Sequence, residues 1–200
     1  MIPKVSICIP VHNMKNKDFF LDRCLRSVRG QTFQDFEIVI TERGKMAENT
    51  NAAIKEAKGE IIKVMAMDDY FLDKHSLEKI IHAFKGNWLI SSCVHDNGSG
   101  QLLNHHKPYF DGKFTEGYNG FGGMSTLTIK NDNPLLFDEE LSWLIDCDYY
   151  ERAVAKFGLP VLMEEPTVVV GLHEGQMSNI LTKEYKDSEQ DYLNKKYEKN

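Results

Sequence analysis

The chain has 200 residues, enough for one domain with a full core, and its 42% hydrophobic and 27% charged residues are typical of a soluble globular protein. Its formal net charge of -6 argues against a nucleic-acid-binding surface, which is usually basic. No apolar run approaches the roughly 18 residues of a membrane span. The N-terminus also lacks the pattern of a signal peptide, so we expect neither feature.

The four cysteines are spread along the chain, each in an apolar stretch and without a C-x-x-C pair. This distribution is typical of small buried side chains in a reducing compartment, and it predicts a cytoplasmic protein. A zinc or disulfide role is a weaker alternative. The cysteines are Cys8, Cys24, Cys93 and Cys147.

The first half of the chain alternates between short apolar runs and amphipathic segments, which predicts strands and helices in turn. This order predicts an α/β fold whose mixed, mostly parallel sheet has helices on both faces. The predicted strands cover 5–11, 37–41, 60–67 and 88–94, and the predicted helices cover 18–29, 49–58 and 76–84.

The alternation stops at about residue 96. Residues 96–124 are rich in glycine and polar side chains, which indicates a long functional loop. A strand at 125–130, a helix within 138–157 and one or two strands at 160–172 then complete a single domain of residues 1–180. The charged segment 181–200 is expected to be a solvated helix, or a linker toward further domains.

Two adjacent carboxylates, Asp68 and Asp69, follow the apolar strand that ends at Met67. Ligands of such sheets bind at the carboxyl ends of the strands. Adjacent acids repel each other unless a cation or hydrogen-bond donors compensate them, and Mg²⁺ or Mn²⁺ bridging to a diphosphate would do so. The alternative is that one of the pair only caps the following turn.

Several stretches, in order along the chain, resemble the family 2 glycosyltransferases, which have the GT-A fold. The resemblance covers most of the chain to about residue 180. The matching stretches are VSICIPVHN at 5–13, Ser27 with QTF at 31–33, FEI at 36–38, NAAIKEAKGEI at 51–61, FDE at 137–139, residues 146–158, and His173.

The resemblance implies roles for the residues that hold the diphosphate. Asp68 and Asp69 match the DxD-type motif that binds the metal and the phosphates. His173 resembles a histidine that helps to bind the metal or the diphosphate in some GT-A enzymes. The implied cofactor is Mn²⁺ or Mg²⁺. Ala66 departs from the pattern, because it stands where a D-x-D-D arrangement has its first aspartate.

The resemblance also implies nucleoside and sugar contacts, although the segment between Glu42 and Asn51 is shorter than the family usually has. Pro10, Val11 and Asn13 match the first loop, and Glu42 stands where an aspartate usually binds the base. Small residues around Gly123 would let the backbone approach the donor sugar. The expected nucleotide-sugar contacts are Pro10, Val11, Asn13, Glu42, Arg43, Asn51, Asp68, Asp69 and Gly123.

Asp146 matches the catalytic aspartate of the family. Ile145 replaces the glutamate that often precedes this base, which leaves Asp148 as a competing but weaker candidate. Residues two apart on a helix lie on different faces, so both cannot point into one cleft. The apolar neighbours of Asp146 should raise the pKa of its carboxyl and make it a better base.

The implied activity is an inverting hexosyl transfer from a nucleotide-diphosphate sugar, with UDP the first expectation, to a hydroxyl of a glycan or glycoconjugate. One alternative is a sugar nucleotidyltransferase. Such enzymes generally carry a glycine-rich basic loop after the first strand, and His12-Asn13-Met14 is not one. Another alternative is a non-catalytic carbohydrate-binding module.

Overall fold

The computed structural model describes residues 2–99 and 101–198. Eight strands form one sheet in these ranges, in the order β2-β1-β3-β7-β5-β8-β4, with β6 paired to β5 outside that path. The strands are Val5–Pro10 (β1), Phe36–Thr41 (β2), Ile61–Val64 (β3), Tyr70–Phe71 (β4), Trp88–Asp96 (β5), Leu102–His106 (β6), Leu127–Lys130 (β7) and Val161–Gly171 (β8).

The strand directions agree with the predicted sheet. β1 is parallel to β2 and β3, and β5 is parallel to β8. β7 is antiparallel to both β3 and β5, so the two reversals cancel and β5 points the same way as β1. The mixed, mostly parallel sheet expected from the sequence is confirmed.

Helices cover both faces of the sheet. Each strand alternates its side chains between the two faces, so apolar side chains on each face pack into a separate hydrophobic core. Ile7 and Ile9 pack with α1 and α3, whereas Cys8 packs on the other side with α2, α4 and α6. None of the described helices is long and apolar enough to cross a membrane. The helices are Lys17–Arg29 (α1), Met46–Glu56 (α2), Ser76–Ala83 (α3), Ile145–Phe157 (α4), Met177–Ile180 (α5) and Lys183–Tyr197 (α6).

Glycines follow two of the helices directly: Gly30 comes after α1, and Gly158, which has a φ of 78°, comes after α4. Gly59 lies beyond the end of α2, which is at Glu56. A Cβ on Gly59 would lie 2.6 Å from backbone atoms of Val5 and Ser6. Gly59 therefore permits close passage of the chain beside β1.

The segment 96–124 is less irregular than predicted. β6 lies within it and pairs antiparallel with β5. Its side chains are largely exposed, so the two-residue periodicity that a buried strand shows in its sequence is missing. The rest of the segment consists of turns and a short 3₁₀ helix, Phe114–Glu116.

The charged C-terminal segment forms α6, which packs against the domain. Leu193 is fully buried in the core, and Glu189 is only 4% exposed. The remaining charges of α6 face outward or pair with the domain, as Lys196 does with Asp138. This helix lies alongside the start of α4.

Candidate active site

Two adjoining cavities open where β1, β3 and β8 end. The first has a volume of about 360 Å³ and is lined by the Asp68–Asp69 pair, by residues 142–147 at the start of α4, and by Gly123. The second, of about 270 Å³, is lined by residues 12–14, Lys45 and His173. Both cavities share one wall, made of Met46, Asp68, Ser142, Gln176 and Met177.

The two carboxylates of the pair have different surroundings. Asp69 is 6% exposed, and its Oδ1 accepts a hydrogen bond from the Gly171 N–H at 2.9 Å. Burial, followed by the charge of Asp68, raises the pKa of Asp69 to about 7. Arg23 donates to the Asp68 carbonyl at 2.6 Å and so fixes the backbone of the pair.

His173 lies beside the pair, as the sequence predicts for a residue of the same site. Its Nε2 is 2.8 Å from Asp68 Oδ2, and its ring packs on Phe20 with centroids 4.8 Å apart. The Gly175 N–H donates to Nδ1 at 3.1 Å, which places the ring hydrogen on Nε2, facing Asp68.

The carboxylates fit the divalent cation that the resemblance implies, since Mg²⁺ and Mn²⁺ take one or two carboxylates and complete their shell with phosphate oxygens and water. The described residues contain no group of three or more histidine, cysteine or acidic side chains arranged to hold a metal.

Asp146 lies in the first turn of α4 and lines the first cavity. Its Oδ1 is shielded from solvent and has no hydrogen-bond partner among the described residues. Burial raises the pKa of this carboxyl to about 7. A carboxyl at a cavity wall that has one shielded oxygen without a donor among the described residues is well suited to accept a proton near neutral pH.

Asp148 is on the other side of the same helix turn and is fully buried. It accepts from Arg152 Nε at 2.8 Å and from the Tyr197 hydroxyl at 2.7 Å, and it pairs with Lys196 at 2.6 Å. Its oxygens are therefore committed to α4 and α6, and Asp148 does not line either cavity.

A buried ammonium lies behind the first cavity. Lys63, in the centre of β3, is fully buried and donates to the carbonyls of Ser125 and Leu127. Burial lowers the pKa of Lys63 to about 7, although the charge of Asp69 opposes this effect. Ser125 in turn accepts from the Ala66 N–H at 2.8 Å. Lys63 thus ties the strand that leads to the carboxylate pair to the loop opposite it.

The glycines of that loop leave room at the cavity. A Cβ on Gly123 would meet no atom within 4 Å, and the neighbouring Gly122 has a φ of 94°, which favours glycine. The Tyr150 hydroxyl donates to the Gly122 carbonyl at 3.1 Å and holds the loop in place.

Methionines make up much of the second cavity. Met14, Met46, Met67 and Met177 line it together with the polar side chains of His12, Asn13 and Lys45. His12 also contacts the Met46 sulfur through Nε2 at 3.1 Å, and burial lowers the pKa of its ring. Of the three residues expected in the first loop, Asn13 is the one that lines this second cavity.

Five of the expected nucleotide contacts do not line either cavity: Pro10, Val11, Glu42, Arg43 and Asn51. Val11 is buried, and its backbone pairs with the neighbouring strand and with Asn49. The two charged side chains are held in ion pairs, Glu42 with Lys17 and Arg43 with Glu56.

Asn51 is buried for a structural reason. Its Oδ1 accepts from the Phe137 N–H at 2.7 Å, and its amide donates to the Phe137 carbonyl and to Glu139, each at 2.9 Å. Both ends of the amide are therefore used to join α2 to the segment before α4, and they are not free for a ligand.

No protein-family model and no curated protein sequence matches the chain. Solved structures do match. The structure of Staphylococcus aureus TarS 1–349 in complex with UDP-GlcNAc superposes with a TM-score of 0.72 at 19% identity, over 95% of this chain and 65% of that one. A second structure of S. aureus TarS 1–349 gives a TM-score of 0.65 at 18% identity, over 84% of this chain and 60% of that one.

The mannosyltransferase PcManGT from Pyrobaculum calidifontis, in complex with GDP-Man and Mn²⁺, gives a TM-score of 0.57 at 14% identity, covering 94% of this chain and 60% of that one. The chain has the GT-A glycosyltransferase fold. It spans 60% and 65% of the length of the two TarS structures.

Sequence reasoning missed several residues in and around these cavities. Gln176 and Met177 line both cavities, yet they follow a glycine-rich turn without any motif. Lys63 did carry a signal, because it is the one charge in the apolar strand Ile61–Val64. A charged side chain in a buried strand must find acceptors there.

Proposed function

We propose that this domain is an inverting glycosyltransferase that transfers a hexosyl group from a nucleotide-diphosphate sugar, with a UDP-sugar first, to a hydroxyl of a glycan or glycoconjugate. The observation that carries the proposal is the carboxyl of Asp146, which lines the same cavity as Asp68 and Asp69 and whose shielded Oδ1 has no hydrogen-bond partner among the described residues. Asp146 would serve as the base, in the same cavity as the two carboxylates that would hold the cation and, through it, the diphosphate.

The two cavities suit the two parts of such a donor. The nucleoside would occupy the cavity lined by His12 and Asn13, and the sugar would occupy the one lined by Asp146 and Gly123. The diphosphate would then lie at the shared wall, beside Asp68. Structural neighbours in complex with UDP-GlcNAc and with GDP-Man support a donor of this class.

The reaction is a single displacement at the anomeric carbon. Asp146 accepts the proton of the acceptor hydroxyl while that oxygen bonds to the anomeric carbon, and the bond to the diphosphate oxygen breaks with its electron pair. When bound at Asp68 and Asp69, Mn²⁺ or Mg²⁺ would neutralise charge on the departing diphosphate. Attack from the opposite face inverts the anomeric configuration.

Trp143 lines the first cavity, and the Lys186 ammonium lies 5.5 Å from the centre of its ring. An indole at this position offers an apolar surface for the acceptor sugar.

The four cysteines are free and buried, which supports a cytoplasmic protein with reduced thiols.

A thermal-shift panel of nucleotide sugars, each with Mn²⁺ or with EDTA, tests the proposal. A ligand that binds the folded state at 100 times its Kd adds about 2.7 kcal/mol of stability, so the donor should stand out with Mn²⁺ present. Equal shifts in EDTA would remove the metal role of Asp68, Asp69 and His173. If no nucleotide sugar stabilises the protein, the proposed function is wrong.

The product then distinguishes the mechanism and the alternatives. NMR of the transferred sugar should show the opposite anomeric configuration to that of the donor, and a retained configuration would exclude the single displacement. Formation of a nucleotide sugar from a sugar phosphate and a nucleoside triphosphate would instead identify a nucleotidyltransferase. Binding without any turnover would identify a carbohydrate-binding module.

A further inference from the structure

Glu189, on α6, is a buried carboxylate with an unusual set of partners: it is 4% exposed and distant in sequence from the residues that it contacts. Its carboxylate accepts hydrogen bonds from three consecutive peptide N–H groups, those of Ser142 (2.7 Å), Trp143 (2.9 Å) and Leu144 (2.9 Å). Hydrogen bonds to an ionised acceptor are about twice as strong as neutral ones.

These three peptides lead directly into α4. The helix begins at Ile145, and its cap residue, Leu144, offers no side-chain acceptor. A carboxylate placed just before a helix N-terminus satisfies free N–H groups and interacts favourably with the helix dipole. Glu189 therefore fixes the segment that leads into α4 and places a negative charge before the helix N-terminus, where the helix dipole favours it.

The same peptides form a wall of the first cavity, which Ser142, Trp143 and Leu144 all line. Asp146 is two residues farther along, in the first turn of the helix. A shift of the 142–144 backbone would therefore move Asp146 relative to the cavity. Asp146 has no hydrogen-bond partner at Oδ1 among the described residues to correct such a shift.

Other contacts of α6 keep Glu189 in position. Leu193 is fully buried in the core, and the Tyr185 hydroxyl lies 3.2 Å from Ser142 Oγ. Gln190 donates to the Thr115 carbonyl at 2.7 Å, and a Cβ on Gly117, another residue of the cavity wall, would lie 2.9 Å from the Gln190 side chain. The helix thus supports two sides of the cavity.

We propose that Glu189 is a positioning residue for the reaction: its carboxylate fixes the 142–144 backbone and so holds Asp146 at the distance from the anomeric carbon that proton transfer requires. This role rests on the proposed glycosyltransferase function. Through Glu189, the charged segment after residue 180 becomes part of the active site.

The test compares Glu189→Gln with Lys196→Met. Gln keeps the shape of the side chain, but its amide NH₂ would face peptide N–H groups that need an acceptor. Lys196 is on the same helix and pairs with Asp138 and Asp148, away from residues 142–144. Lys196→Met therefore controls for loss of an anchoring charge on α6.

We expect Glu189→Gln to lower kcat by about 10- to 100-fold with the donor KM within about twofold, because a misplacement of about 1 Å can cost 10²-fold. The pH profile of kcat/KM should also shift, since the surroundings of Asp146 change. Lys196→Met should keep the kcat and pH profile of the wild type. Glu189→Asp retains the charge and should recover part of kcat, and it also serves if Glu189→Gln folds poorly.

The outcomes separate the two proposals. An active wild type beside Glu189→Gln with unchanged kcat would overturn the role of Glu189 and leave the function standing. Equal losses of kcat in Glu189→Gln and Lys196→Met, with unshifted pH profiles, would show that α6 contributes only stability. A wild type that turns over no nucleotide sugar would overturn the proposed function, and the catalytic role of Glu189 with it.

Discussion

The first turn of α4 carries two aspartates, Asp146 and Asp148, whose surroundings are opposite in character. On the cavity side, Asp146 has a shielded oxygen to which none of the described residues donates, and burial raises the pKa of its carboxyl to about 7. On the side that faces α6, the fully buried Asp148 is held by Arg152, Lys196 and Tyr197. A buried carboxylate without donors or cations around it is free to accept a proton, whereas one that is held by donors and cations stabilises the structure.

The largest expected effect is on turnover. Asp146→Asn keeps the shape of the side chain and removes its basicity, so kcat should fall by at least about 10²-fold while nucleotide-sugar affinity changes little. Steady-state kinetics and calorimetry with the donor measure the two quantities. An active Asp146→Asn enzyme beside an inactive, folded Asp148→Asn enzyme would reverse the assignment of the two sides.

Asp148→Asn should affect folding more than chemistry. Removing one partner of a buried ion pair costs about 3–5 kcal/mol, because Arg152 and Lys196 would lose their common counter-charge. Urea unfolding should therefore show a lower free energy of unfolding, while the folded fraction keeps its turnover. Asp187→Asn, which removes an exposed pair with Lys183, is the matched control and should change little.

A smaller effect concerns stability and pH. The pKa of Asp146 is about 7 in the folded protein, against an ordinary value of 3.8. Between these values the folded chain holds a proton that the unfolded chain has lost, so this carboxyl makes stability fall as pH rises. Asp146→Asn should therefore be more stable than the wild type at pH 8, and the difference in Tm should shrink toward pH 4. A constant difference would mean that Asp146 is not shielded.

The smallest expected effect is that of Glu42→Gln. Glu42 pairs with Lys17 at 2.5 Å on the surface and does not line the second cavity. Donor affinity should stay within about twofold of the wild type, and stability within about 1 kcal/mol. A large loss of affinity in calorimetry would restore the base contact that the sequence resemblance implies.

The sequence predicted the parts of the site that follow from local patterns. Asp68 and Asp69 follow the apolar run that contains β3, and the strand-end rule places them at the cavity. Helical geometry separates Asp146 from Asp148, and the structure puts only Asp146 at the cavity. The parallel arrangement of β1, β2 and β3 followed in the same way from the alternation of strands and helices.

The remaining features depend on partners that are far away in the sequence. Glu42 forms an ion pair with Lys17, and Arg43 forms one with Glu56. Both partners belong to other elements. Glu189 meets its three donors across more than forty residues of intervening chain. In a strongly charged segment one acidic residue looks like the next, so no periodicity marks the one that is buried.

The methionine wall of the second cavity also has a chemical consequence. Met14, Met46 and Met177 are half-buried, so oxidants can reach their thioethers. Conversion to the sulfoxide would add a polar oxygen to a flexible apolar lining, and methionine sulfoxide reductases reverse it. Because Met46 and Met177 border both cavities, oxidative ageing of a preparation would weaken donor binding before it affected the sheet beneath.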